Sequence, residues 1–244
     1  MVPFPAPKRR RIYLMRHGAV TYFDETGRPI LPETVPLNED GRRQAAAAGQ
    51  TFAAEHVVFD RVIVSGLPRT VETAQRVLAE MPAMKARDVT LEPWPELQEI
   101  RGGKLAEIPE HEVAQAFIGA FEGTVPETRR FLNGERIGAF LDRVIPAIAR
   151  LRALPDWDTV LMVLHGGTNR AILSHAITGG ERVFFGNLAQ TAGCINVLDV
   201  GDAPGDWVLR MANFSPPSPA HLGSRLTTME VLLQQYLRYR KPAA

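Results

Sequence analysis

The run Asp158-Thr159-Val160-Leu161-Met162-Val163-Leu164 is the clearest buried strand in the chain. It is apolar at successive positions, not alternate ones, so it needs cover on both faces. That is the signature of a central strand in a parallel sheet, which in turn demands crossover helices and an α/β fold. The run stops abruptly at His165-Gly166-Gly167-Thr168, and a helical pattern follows over Asn169–Ile177. Two other stretches repeat this grammar. Ile12–Met15 ends in Arg16-His17-Gly18, and Arg61–Ser65 ends in Gly66-Leu67-Pro68-Arg69 before a helical pattern over Val71–Met81. Three strand ends thus deliver Arg-His, Arg and His to the carboxyl edge of the sheet, where open α/β folds bind their ligands.

Composition narrows the options. A chain of 244 residues with 45% hydrophobic content can bury one large α/β domain or two small ones; the strand–helix alternation favours one domain over 1–244. Net charge is +1, so general nucleic-acid or membrane-surface binding is not expected and any cationic site must be local. Cys194 is the only cysteine, which excludes an internal disulfide and a multi-cysteine metal site. It lies in an apolar run and reads as core. No run reaches the roughly 18 apolar residues of a membrane span. The start of the chain carries prolines and the basic cluster Lys8-Arg9-Arg10-Arg11 without an apolar segment behind it. This predicts a flexible tail over residues 1–10, no secretory signal, and a cytoplasmic location.

Local signals fill in the rest. Ala19–Pro36 is irregular and rich in Pro, Gly and Thr. Asn38, followed by Glu39 and Asp40, predicts an N-cap and a helix running to Glu55. Val89–Leu91 reads as a short strand. Lys104–Phe131 has no strand pattern, only helical pieces broken by Gly119, Gly123 and Pro126. A core-facing helix is expected from Asn133-Gly134-Glu135-Arg136 to about Ala153, with Pro146 as a candidate kink. Cys194–Val200 and Trp207–Phe214 read as two late strands, and Leu226–Tyr239 as a terminal helix.

The residue types suggest anion chemistry. Arg16 and Arg69 offer planar forks suited to phosphate or carboxylate, and His17 can act as a nucleophile near neutral pH. The phrase Leu14-Met15-Arg16-His17-Gly18 resembles the Arg-His-Gly signature of the histidine phosphatase superfamily. Ser65, Arg69, Thr73 and Ala74 match its Ser-x-x-x-Arg-x-x-x-Thr-Ala phrase, and His165-Gly166-Gly167 its second-histidine motif. The likeness spans about residues 11–215. It implies a three-layer α/β/α fold with a mostly parallel sheet and a helical lid inserted near 104–135. It implies a nucleophile at His17, a phosphate clamp from Arg16, Arg69 and the backbone near Gly166, a further hydrogen bond from His165, and neither cofactor nor metal. The segment Leu97-Gln98-Glu99-Ile100-Arg101-Gly102-Gly103 resembles the family's Leu-x-Glu segment, which makes Glu99 the proton donor and leaves Glu96 as a rival, with Glu107 or Glu110 behind both. Asn213, Phe214 and Ala220-His221-Leu222 resemble a phrase of the α-ribazole and fructose-bisphosphatase members.

The chain also departs from the family. Val20 and Phe23 stand where Thr and Asn are frequent, Asn133 and Arg136 alter a mutase-branch stretch, and the Gly-x-Trp-Glu-Gly continuation is missing. These changes favour a phosphomonoesterase acting on a small phosphorylated molecule with a less polar alcohol. A phosphoglycerate mutase-like isomerase and a non-catalytic phospho-ligand-binding module remain as alternatives. A homodimer is compatible with all three.

Overall fold

The computed structural model describes residues 7–24, 28, 30–87, 89–217 and 225–240; His221 lies outside them. Among the described residues, six strands form one sheet. They are β1 (Arg10–Arg16), β2 (Arg61–Val64), β3 (Leu91–Pro93), β4 (Thr159–Leu164), β5 (Ile195–Val200) and β6 (Trp207–Phe214), in the order β3-β2-β4-β1-β5-β6. The first four neighbours are parallel, while β5 pairs antiparallel with both β1 and β6. β4 is central, as its unbroken apolar run requires. The helices are α1 (Glu39–Ala54), α2 (Pro68–Ala79), α3 (Pro82–Lys85), α4 (Val113–Ile118), α5 (Ile137–Ala153), α6 (Gly166–Ile177) and α7 (Thr228–Arg240).

Successive β4 side chains feed two different cores. Val160, Met162 and Leu164 pack with Ile12, Leu14, Ile63 and the apolar faces of α5 and α6. Leu161 and Val163 pack with Met15, Val62, Val64 and residues of α1 and α2, including Phe52 and Val77. This is the period-two geometry of a strand covered on both sides, and it yields three layers. Asn38 caps α1 as expected, its side chain accepting from the Gly41 amide at 2.9 Å, and Pro68 takes the first turn of α2.

Some boundaries differ from the sequence reading. The third strand begins at Leu91, not Val89, because it forms only where it can pair with Val62–Val64. The expected start of α5 at Asn133 is instead a turn with Leu132 and Asn133 at positive φ, and the helix begins at Ile137. It runs through Pro146 unbroken. The basic cluster is no tail: Arg10 opens β1 and donates to the carbonyls of Leu154 and Arg152, both at 2.6 Å. The thiol of Cys194 is buried, which pushes it up to about 11. Among the described residues no helix is long and apolar enough to cross a membrane.

Residues 104–133 form short helical turns, α4 among them. They do not pack on themselves alone. Ile108, Val113, Phe117 and Leu132 join Met229, Leu233 and Tyr236 of α7 in a third apolar cluster, in which Phe117 stacks on Tyr236 at 5.5 Å between ring centroids.

Candidate active site

The carboxyl ends of β1, β2 and β4 bring the three expected motifs together. His17 follows β1, and its ring lies 5.1 Å, centroid to centroid, from that of His165, which follows β4. Both are buried. Arg69 lies in the first turn of α2, also buried, with one amine donating to the Pro32 carbonyl at 2.5 Å. Arg69 forms no ion pair with Glu72, three residues on in the same helix. Glu72 binds Arg42 at 2.9 Å and Arg76 at 3.1 Å instead. Arg16 donates to the Gln190 carbonyl at 2.6 Å and to Thr228 of α7 at 3.3 Å.

Backbone contacts lock this arrangement. The Thr73 hydroxyl accepts from the Gly18 amide at 3.1 Å and donates to the Arg69 carbonyl at 2.6 Å, tying the first motif to the second. A Cβ at Gly18 would collide with the Gly41 carbonyl at the start of α1. The glycine is therefore needed for close approach.

Each histidine is set by its neighbours. His17 Nδ1 lies 2.7 Å from the Gly18 carbonyl. A carbonyl only accepts, so Nδ1 carries the proton and Nε2 keeps its lone pair. Burial first, then the cations Arg69 and Arg16, hold His17 well below the usual histidine range, so it is neutral at pH 7. His165 is held low by burial, then by Arg69, His17, Arg16 and Arg143. Among the described residues, three buried polar atoms here have no hydrogen-bond partner: Arg16 Nε, Arg69 Nε and His165 Nδ1.

The two rival acids part company. Both oxygens of Glu99 are taken by amides: Ile100 donates to one and Gly167, at the start of α6, to the other, each at 2.9 Å. A Cβ at Gly167 would run into the Glu99 carboxylate, so the double glycine admits the acid. Glu96 points to the outer side of α5, bound to Arg150 at 2.5 Å, with Arg150 lying 3.8 Å above the Trp94 ring. Glu107 and Glu110 are exposed in the insertion, and Glu107 is paired with Lys104 at 3.1 Å. Gly166 sits between two guanidiniums: a Cβ there would lie 3.2 Å from Arg170 and 3.5 Å from Arg16.

One residue the sequence did not single out holds the loop that carries Glu99. Arg143 of α5 donates to the carbonyls of Glu96, Gln98 and Glu99 at 2.6–2.9 Å and grips Glu135 with two bonds of 3.0 Å. Glu135 in turn accepts from the Arg101 amide at 3.0 Å. Arg143 looks like any polar residue beside an apolar stripe, so no local signal marks it. Arg170 is buried, donates to the Gly186 carbonyl at 3.0 Å and lies 4.9 Å from the Phe121 ring centre. Burial and nearby Arg16 lower it to about 10. Among the described residues no group of three or more His, Cys, Asp or Glu side chains is placed to hold a metal ion.

Residues 12–214 match the histidine phosphatase superfamily (branch 1) over most of the chain. The chain belongs to that superfamily. A curated relative, the adenosylcobalamin/α-ribazole phosphatase of Salmonella typhimurium, is 31% identical over 197 residues, covering 78% of this chain and 90% of the relative. The crystal structure of a putative α-ribazole-5′-P phosphatase from Escherichia coli superposes with a TM-score of 0.62 at 25% identity, covering 84% of this chain and 96% of that one. The mycobacterial glucosyl-3-phosphoglycerate phosphatase in complex with inorganic phosphate, at 21% identity and a TM-score of 0.64 over 85% of this chain and 98% of that one, shares the fold. This histidine phosphatase is thus an enzyme that hydrolyses phosphate monoesters, and phosphohistidine chemistry is general to its family.

Proposed function

We propose that His17 attacks phosphorus through Nε2, that Arg16, Arg69 and the amides at Gly166 hold the equatorial oxygens, that His165 adds a contact through Nδ1, and that Glu99 protonates the leaving oxygen. The observation that carries this reading is the set of buried, unpartnered atoms on Arg16, Arg69 and His165 around the His17 ring. Leaving a buried donor or acceptor unpaired costs about 1–3 kcal/mol. The two guanidinium N–H groups suit the oxygens of a phosphoryl group, and the His165 nitrogen joins them once a proton lies between it and an oxygen.

The chemistry then runs in two steps. Neutral His17 forms the N–P bond while the P–O bond to the alcohol breaks, and Glu99 gives the departing oxygen its proton. As a carboxylate, Glu99 then takes a proton from water attacking the phosphohistidine, and inorganic phosphate leaves. The arginines neutralise charge on the equatorial oxygens, which is the main demand of phosphoryl transfer. No metal is required for this sequence; chelator should leave the rate unchanged.

The substrate class we favour is a small phosphate monoester with a partly apolar alcohol, of the kind named for the α-ribazole phosphatase relatives. Phe23 supports this, since it packs with the apolar cluster shared by the insertion and α7. Val20 gives no such support, because it packs against the core beneath α1. We read the chain as one domain, with residues 104–135 and α7 together as its lid, acting in the cytoplasm without a nucleic-acid or membrane partner. The deciding experiment is acid-quench trapping of the phosphoenzyme followed by peptide mapping. Label on His17 is expected; label elsewhere, or none with turnover intact, would reject the assignment. Release of free phosphate, as against its transfer to a second hydroxyl, separates this reading from the mutase one.

A further inference from the structure

Behind His165 a line of buried oxygens leads away from His17. His165 Nε2 lies 2.7 Å from Ser65 Oγ, Ser65 Oγ lies 3.1 Å from Thr70 Oγ1, and Thr70 Oγ1 lies 2.8 Å from the Leu67 carbonyl. All three side chains are fully buried. The carbonyl at the end of the line has no proton and only accepts. The single hydroxyl proton of Thr70 therefore goes to Leu67. Ser65 must then donate to Thr70, and with its own proton committed it accepts from His165. The Leu67 amide, 3.4 Å from Ser65 Oγ, points the same way.

We propose that Ser65 and Thr70 are positioning residues that fix His165 as the Nε2–H tautomer, so that a phosphoryl oxygen reaches Nδ1 only together with a proton. This rests on reading the His17–His165 pocket as the phosphoryl site.

Neutral His165 in this tautomer presents a lone pair at Nδ1, the ring atom buried without a partner. A dianionic phosphoryl oxygen against that lone pair is repelled. One proton between them turns repulsion into a hydrogen bond, carried either by the ring as an imidazolium or by the substrate as a monoanion. In the first case Ser65 is already placed to accept from the second N–H. The charged and titratable groups around the ring are Arg69 from α2, His17 and Arg16 from β1, and Arg143 from α5. Glu99 is nearby, held on the Gly167 amide at the start of α6. Before phosphate enters, burial and then the cations keep the ring neutral. The incoming negative charge offsets them and makes the ring more basic. Proton uptake and phosphate binding are therefore coupled, and the proton comes from solvent when the ligand is a dianion.

Two measurements test this. ¹⁵N NMR of the histidine-labelled free enzyme at pH 8, with His165 assigned from a His165→Asn variant, should show Nε2 protonated and Nδ1 bare. Calorimetry of inorganic phosphate binding at pH 8, in buffers of differing ionisation enthalpy, should show close to one proton taken up per site. Thr70→Val leaves the Ser65 hydroxyl free to donate to Nε2. It should move the ring to the Nδ1–H tautomer, cut proton uptake toward zero and shift the alkaline limb of kcat/KM to higher pH. The rate should fall on the order of 10-fold, the scale of one hydrogen bond. Thr70→Ser should restore all of these. If Thr70→Val does not fold, Ser65→Ala and the wild-type spectra decide. A protonated Nδ1 in the free enzyme, or phosphate binding without proton uptake, overturns the proposal. A His17→Ala enzyme that keeps full turnover would instead overturn the pocket reading, leaving the tautomer result to be judged from the spectra alone.

Discussion

The two rims of the sheet use the same residue types in opposite ways. At the amino rim, arginines meet carboxylates. Arg11 grips Asp199 through bonds of 2.7 and 3.0 Å, Arg210 binds the same Asp199 at 2.8 Å, and Arg9 binds Asp206 at 2.7 Å. Asp199 sits below the usual carboxylate range because Arg11 and Arg210 outweigh its burial. A cavity of about 310 Å³ opens there, lined by Arg9, Arg11, Tyr13, His56 and Asp199 among others, but the charges of Arg9 and Arg11 are already answered. At the carboxyl rim, Arg16, Arg69 and Arg170 hydrogen-bond to carbonyls, or in one case a hydroxyl, and form no ion pair among the described residues. A buried guanidinium facing carbonyls keeps its positive field for something else. A site is thus better recognised by what its charges lack than by the size of its hollow.

That contrast can be broken in graded ways. The largest expected effect is at His17. His17→Ala should lower phosphate release by about 10⁴-fold or more while circular dichroism stays unchanged, since the covalent route is lost. Substantial activity in the folded variant would reject His17 as the attacking group. Next is the acid. Glu99→Gln should slow alkyl phosphates by about 10²–10⁴-fold, the span of general acid catalysis. Nitrophenyl phosphate, whose leaving group needs little help, should instead give a burst followed by slow turnover. Glu96→Gln, made alongside, should do little, because Glu96 is engaged by Arg150. The reverse pattern would undo the assignment.

Arg69→Ala should cost about 10²–10³-fold in kcat/KM, as expected for removing one fixed electrostatic contact to the transition state. A loss below tenfold would mean that Arg16 and Arg170 suffice. Acid stability comes after that. His17 and His165 are held neutral in the fold, below their unfolded value of about 6.5. Below that pH the unfolded chain binds protons that the fold resists, so stability is complete above it and falls as pH drops. Each histidine adds a slope of up to about 1.4 kcal/mol per pH unit. Urea melts between pH 8 and 5 should show this, with a shallower slope in His165→Asn; a flat profile would contradict buried neutral histidines. The smallest effect belongs to the amino rim. Arg11 is nearly half exposed, so Arg11→Ala should cost about 1 kcal/mol or less and leave kcat unchanged. A kcat loss matching that of Arg69→Ala would erase the difference between the rims.

Much of this was legible in the chain. The apolar β4 run announced its central place, and the Arg-His-Gly and His-Gly-Gly phrases announced the strand ends that meet at the site. Asn38 and Pro68 marked helix starts through local chemistry that needs no partner from afar. The insertion was less legible. Its turns form against α7, more than a hundred residues away, and a cluster made by distant partners leaves only scattered aromatics in the sequence. Arg143 was invisible for the same reason, since its acceptors are carbonyls, which every residue carries.

By itself, then, the sequence determined the layers, the order of strand and helix, and which side chains stand at the carboxyl ends of β1, β2 and β4, because periodicity and turn chemistry are local. Only the tertiary structure decided what the carboxylates of Glu99 and Glu96 touch, which arginines near the site stay without a carboxylate among the described residues, and which groups face each imidazole nitrogen. Those depend on distances of about 3 Å between groups far apart in the chain, and a hydrogen bond has no counterpart in sequence spacing.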